Sequence, residues 1–269
     1  MRWLVIAALV VGCGSNHGSG GTDAPGTGNV DARFPTNCTG PIPGAPQCSN
    51  CIDDDGDGNI DGYDVQCTGP MDNDEGSFAT GIPGDNIDPV KQDCFFDGNS
   101  GSGNDGCDIH VCCLLGATTV ADCPIGANRY NPDDCPPPIG THPLSQMCID
   151  YCGKLTPPGC DCFGCCTLCD PANPSQCYDI ATNATTSPNC TQDTLADPTK
   201  CLRCTQVPSC GPSDCGGTTC ILCPGQDPSS LPASCNMTPV CPGTEQSCQT
   251  AACPANTYCA NGCCVGIVQ

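Results

Sequence analysis

Thirty-three of the 269 residues are cysteine, and one of them stands apart from the others. Cys13 closes an apolar N-terminal run, Trp3-Leu4-Val5-Ile6-Ala7-Ala8-Leu9-Val10-Val11, and follows Gly12 directly. Setting it aside leaves 32 cysteines, an even number that can pair completely. That possibility decides the fold class, because little else in the composition could hold a fold. Leu, Ile, Val and Phe make up only about 15% of the chain, below the roughly 20% at which an ordinary apolar core becomes doubtful. Glycine (33) and proline (28) are abundant, so without its cysteines the chain would be expected to stay disordered. Disulfides change that expectation by restricting the unfolded ensemble, at about 2–4 kcal/mol each. The expected fold is small, disulfide-rich and mostly irregular, with short β elements, several modules and no large hydrophobic core. Short strands are expected around Asp108–Leu115 and Tyr258–Val268, with a short helix over Leu114–Ala121 as the competing reading.

The N-terminus bears on compartment. Arg2 precedes an apolar run of about nine residues, too short for a membrane span of roughly 20 and suited to a secretory signal. Val10-Val11-Gly12-Cys13 resembles the lipobox of bacterial lipoproteins, which implies lipidation at Cys13 and a mature chain starting there. The methylenes of several acyl chains, at about 0.8 kcal/mol each, would then anchor the protein to a membrane. The residue after Cys13 is Gly14, not an acidic residue, which favours the outer membrane or cell surface. Residues 13–36, rich in Ser and Gly, read as a flexible tether.

Cysteine parity suggests a division into modules. Asn37–Pro143 holds 10 cysteines, residues 144–240 hold 16, and residues 241–269 hold 6. The even counts predict three separately stapled units, the last resembling a knot, with connectivity left open. The adjacent pairs Cys112-Cys113, Cys165-Cys166 and Cys263-Cys264 are each expected to bridge to different partners, since neighbouring cysteines join each other only with strain. Cys201-x2-Cys204 and Cys220-x2-Cys223 formally match a zinc ribbon. Cys160-Asp161-Cys162-Phe163-Gly164-Cys165-Cys166-Thr167-Leu168-Cys169 could in principle chelate soft metal. In an exported chain both are expected to be disulfides.

The most specific motif is Cys51-Ile52-Asp53-Asp54-Asp55-Gly56-Asp57-Gly58-Asn59-Ile60-Asp61-Gly62-Tyr63-Asp64. Counted from Asp53, side-chain oxygens fall at positions 1 (Asp53), 3 (Asp55), 5 (Asp57), 9 (Asp61) and 12 (Asp64), with the Asn59 carbonyl at 7 and Gly58 at the sharp turn. This is the ligand spacing of an EF-hand-type calcium loop, with aspartate in place of glutamate at position 12. Prolines on both sides exclude flanking helices, so the segment looks like the isolated calcium loops of dockerins and thrombospondin type 3 repeats, clamped by Cys48, Cys51 and Cys67. A structural calcium ion held at roughly 10⁻⁴–10⁻³ M is expected. Asp72-Asn73-Asp74-Glu75, and Asp97-Gly98-Asn99 through Asp105 to Asp108, echo the pattern and read as polar loops.

The net charge of −22 argues against nucleic acid and anionic headgroups as partners. No nucleophile elbow, metalloprotease helix or phosphate loop occurs, and the apolar material for a desolvated pocket is scarce, so an enzyme is not expected. His110 reads as a residue of a stapled loop.

The lipobox, the Gly/Ser tether, the Cys-x2-Cys-Ile-Asp-Asp-Asp-Gly-Asp-Gly block at Cys48–Gly58 and the cysteine-rich remainder together resemble the surface lipoproteins of myxobacteria that carry a metal-binding motif of this type. The resemblance implies surface location and a bound cation. The function expected is binding, adhesion or a surface structural role toward a protein or surface partner. Two alternatives are thiolate sequestration of zinc or copper, and a protease-inhibitor module at Cys241–Cys264.

Overall fold

The computed structural model describes residues 40–82, 90–96, 106–125, 129–183 and 185–211, short stretches at 214–216 and 222–226, single positions 230, 232, 246 and 254, and two strands at 257–260 and 263–266. The signal, Cys13 and the tether lie outside these residues. So do Asp97–Asp105, Cys220 and the side chains of the C-terminal six-cysteine segment. Regular structure is sparse. Strands β1 (Lys91–Gln92) and β2 (Ile109–His110) pair, helix α1 spans Val111–Leu114, and helix α2 spans Gln146–Cys152. Strands β3 (Cys165–Asp170) and β4 (Asn173–Ala181) form the longest ribbon, and β5 (Thr257–Ala260) pairs with β6 (Cys263–Gly266). All three ribbons are antiparallel and two-stranded. No helix among the described residues is long and apolar enough to cross a membrane.

Eleven disulfides lie wholly within the described residues, and every cysteine whose side chain is described is disulfide-bonded. They account for elements too short to persist alone. Helix α2 has seven residues, well under the length at which an isolated helix holds in water. Ser145 caps it by accepting the Cys148 N–H (3.0 Å), and Cys148 and Cys152, one turn apart on its buried face, bridge to Cys107 and Cys94. Met147 and Tyr151 occupy its exposed face. In α1, His110 Nδ1 accepts the Cys112 N–H (3.1 Å), and Cys112 and Cys113 diverge to Cys123 and Cys135. Cys165 and Cys166 likewise diverge, to Cys204 and Cys160. The expected strand over Asp108–Leu115 is thus only two residues long. The His110 cap starts a helical turn at Val111, and Gly116, at φ +73°, stops it before the alternative helix could run on.

The β3–β4 ribbon was not foreshadowed by the sequence. Its second strand opens on Asn173 and Pro174, both poor strand formers, yet Cys169 faces Cys177 across the ribbon and is bonded to it. Leu168 and Ile180 turn inward and meet Phe78, Phe95, Phe96, Leu155 and Leu195. Phe95 and Phe96 pack edge to face at 4.8 Å. A second cluster consists largely of cysteines, with Ile109, Leu114, Tyr130, Phe163 and Val207 between them. Asp161 anchors the crossing of these segments. Fully buried, it accepts the N–H groups of Phe163 (2.9 Å), Cys165 (2.9 Å) and Val207 (2.8 Å), while burial pushes its carboxyl up to about 7 against the pull of those bonds.

The division expected at Pro143 does not describe the molecule. Cys94–Cys152 and Cys107–Cys148 cross it, Phe78 N–H donates to the Cys190 carbonyl (2.7 Å), and Thr80 N–H donates to that of Thr182 (2.8 Å). Even counts survive because two crossing bonds remove two cysteines from each side. Parity is blind to such an exchange. Residues Thr141–Pro143 are exposed, so a protease site inserted between Thr141 and His142 should be cut readily. The two fragments are expected to migrate together without reductant and to separate with it; separation without reductant would contradict the crossing pairs.

Candidate metal centre

The Asp53–Asp64 loop is bounded by the Cys48–Cys67 disulfide, and Cys51 is also disulfide-bonded. Inside it, carboxylate oxygens of Asp53, Asp55 and Asp57 converge to within 4.8 Å of one another. Local hydrogen bonds arrange this. Asp53 accepts the N–H groups of Gly56 (2.6 Å) and Gly58 (3.1 Å), Asp55 accepts that of Asp57 (3.0 Å), and Asp57 accepts that of Asn59 (2.8 Å). Gly58 has φ +100°, the left-handed backbone expected at the sharp turn, where a side chain would be strained. Positions 1, 3 and 5 therefore come together as the spacing predicts. Asn59 sits at position 7, its side-chain amide donating to Asp57 (3.1 Å).

Positions 9 and 12 behave differently from each other. Asp61 is buried and outside the cluster of three; the Cys51 N–H donates to both of its carboxylate oxygens (3.1 Å each). Asp61, expected as the position 9 ligand, thus ties the mouth of the loop through Cys51 and is not brought together with Asp53, Asp55 and Asp57. Cys51 and Asp61 both have left-handed backbone (φ +62° and +49°), a conformation that persists where surrounding bonds enforce it. Asp64 is also buried, at 3% exposure, and it too lies outside the cluster of three. Its Oδ1 accepts the Gln66 N–H (2.6 Å), while Oδ2 is buried without a hydrogen-bond partner. A buried carboxylate oxygen with no donor is costly and calls for a cation or a proton. Burial, first, and then the fields of Asp57, Asp55 and Glu75 push the Asp64 carboxyl up to about 7.

The acidic turn Asp72–Glu75, read from sequence as a polar loop, is built into the same site. Asp72 is buried and accepts the backbone N–H (3.0 Å) and hydroxyl (2.9 Å) of Thr68 and the N–H of Asp74 (3.1 Å). Glu75 is fully buried beneath the loop and bonds to its backbone. Burial raises the carboxyls of Asp61, Asp72 and Glu75 above the usual range, with neighbouring carboxylates adding to the effect. No Lys, Arg or His lies between Arg33 and Lys91 to offset this charge, and Lys91 itself is paired with Asp108 (2.6 Å). Sequence gives one signal for Glu75, an acidic residue in a stretch devoid of bases.

The donor set is all oxygen and anionic, which suits a hard divalent cation. The other groupings of potential ligands differ in kind. Cys94, Cys107, Cys152 and Cys162 lie close together, as do Cys148, Cys162 and Cys210, but their sulfurs are engaged in disulfides. The formal zinc-ribbon cysteines are likewise consumed, Cys201 by Cys190, Cys204 by Cys165 and Cys223 by Cys215. No protein-family model, curated protein or solved structure matches the chain.

The raised carboxyls set a pH dependence for the cation-free protein. A raised pKa means that the folded state holds its proton more tightly than the unfolded chain. The resulting stability is therefore full below about 4 and is lost as pH rises through about 7. In chelator, the denaturant midpoint is expected to fall between pH 4 and pH 8, and Asp64→Asn to flatten the fall. A midpoint that rises over that interval would contradict the account of this site.

Proposed function

We propose that this chain is an exported bacterial lipoprotein, anchored by acyl chains at Cys13 and displayed on the outer membrane surface. Its ectodomain, held by disulfides and a structural calcium ion, serves binding, adhesion or surface architecture and not catalysis. The observation that carries the reading is the pairing of the described cysteines, since so many disulfides persist only where the surroundings are oxidising. The lipobox-like Val10-Val11-Gly12-Cys13 and the tether behind it supply the route and the attachment.

Calcium fits the site better than a transition metal because, among the described residues, no imidazole or free thiolate joins the cluster of Asp53, Asp55 and Asp57. Asp53, Asp55 and Asp57 would hold it with the Asn59 carbonyl and the unpartnered Asp64 Oδ2, and the ion would neutralise charges that otherwise repel one another. The strongly acidic surface disfavours nucleic acid and leaves a protein or a surface as partner. Thiolate sequestration would need reduced cysteines, and in the described part of the chain the sulfurs are bonded to one another. The inhibitor reading concerns Cys241–Cys264, where only the β5–β6 backbone is described.

Two measurements test the proposal. Cys13→Ala should move the protein from the membrane fraction to the soluble fraction and remove the acyl mass; continued membrane retention would sink the anchor. Calcium titration of the purified protein should give a dissociation constant of roughly 10⁻⁴–10⁻³ M, weakened at least about tenfold by Asp55→Ala. No heat or spectral change up to about 10 mM calcium, well above that range, would sink the calcium reading.

A further inference from the structure

We propose that Glu75 is the positioning residue of the Asp53–Asp64 loop: its buried carboxylate ties together the two arms of the loop and holds the ligand carboxylates in place before a cation arrives. The inference rests on the calcium reading above and adds to it a residue outside the loop.

The geometry is specific. Glu75 Oε2 accepts the Asp54 N–H (2.6 Å) and Oε1 accepts the Asp61 N–H (2.7 Å), while its own N–H donates to Gln47 Oε1 (3.0 Å). Asp54 lies between the first two ligand carboxylates. Asp61 opens the short 3-10 turn Asp61–Tyr63, whose end delivers Asp64. One side chain thus fixes the arm carrying Asp53 and Asp55 and the arm carrying Asp64. It also fixes the amide of Asp61, whose backbone is left-handed and whose carboxylate secures Cys51.

Glu75 is 0% exposed, and its own stretch of chain contains no base. Burying a carboxylate among other carboxylates is unfavourable, and a nonpolar residue would fill the same space without that cost. The charge is therefore explained by what it holds and by the cation it would face. Glu75 stands outside the cluster of Asp53, Asp55 and Asp57, and its oxygens meet the loop's amides, so it acts on the ion through the loop. Groups that orient metal ligands in this way typically contribute about 10–100-fold in metal affinity. The unpartnered, buried Asp64 Oδ2 is an independent observation, a carboxylate oxygen that a cation or a proton would satisfy.

The test uses the detergent-solubilised full-length mature protein, titrated with calcium, and with terbium as a luminescent probe whose lifetimes in H2O and D2O count bound waters. Glu75→Gln and Glu75→Asp are both expected to weaken calcium binding about 10–100-fold, with the number of terbium-bound waters at saturation unchanged. Aspartate keeps the charge but is one methylene too short to reach both amides. Wild-type affinity in Glu75→Asp would therefore show that charge alone matters and overturn the proposal. A gain of one or more bound waters in Glu75→Gln would make Glu75 a ligand and overturn it equally. If the variants do not fold, hydrogen exchange of the wild-type protein in chelator decides. Protected Asp54 and Asp61 amides support prior positioning, and amides protected only after calcium is added overturn it. Absence of calcium binding by the wild-type protein is a different failure, since it removes the calcium reading and the positioning role with it.

Discussion

Sulfur–sulfur bonds carry the structure. Leu, Ile, Val and Phe are too few to bury a conventional core, and the cluster around Ile109, Leu114, Tyr130, Phe163 and Val207 consists mostly of cystines. Each disulfide does two things there. It restricts the unfolded chain, most where it closes a long loop such as Cys94–Cys152 or Cys162–Cys210, and it supplies buried apolar volume that other residue types do not provide. The short elements follow from this. A seven-residue helix and a ribbon whose second strand opens on Asn-Pro-Ser-Gln are held because their cysteines are bonded into the network.

The acidic loop is the other extreme, a region built from charge with almost no apolar content. Asp53, Asp55 and Asp57 face solvent or are half-buried, whereas Asp61, Asp64, Asp72 and Glu75 are drawn inside. The inner four are satisfied by backbone amides except at Asp64 Oδ2. One buried oxygen is left over in this network of amide donors around carboxylates, and a cation or a proton would complete it. The same arrangement ties the loop to the rest of the fold. Gln66, which meets Asp55 (3.5 Å), also accepts the Gln192 N–H (3.4 Å) from the segment closed by Cys190–Cys201.

What could be read in advance divides along physical lines. Fold class followed from composition, and Asp53, Asp55, Asp57 and Gly58 followed from spacing, because a tight loop fixes where alternate side chains go. Adjacent cysteines were expected to diverge, and Cys112-Cys113 and Cys165-Cys166 do so, since geometry forbids the alternative cheaply. Connectivity and module boundaries were not legible. Parity is unchanged by two crossing bonds, and no local pattern distinguishes Cys94–Cys152 from a pairing within either segment. Spacing places Asp61 at position 9 but does not record the bond its carboxylate accepts from the Cys51 N–H. Glu75 and Asp161 were hidden for a related reason. Each acts on amides from distant segments, which no spacing rule records.

The most direct test is the oxidation state of the mature protein, purified from membranes without reductant, denatured, alkylated and weighed intact. The expected mass carries acyl chains and no alkyl groups, with tryptic peptides linked as Cys94–Cys152, Cys107–Cys148 and Cys165–Cys204. A mass bearing many alkyl groups would contradict the account at its foundation. It would mean that the thiols are free, that the surroundings are reducing, and that something other than disulfides holds this chain together.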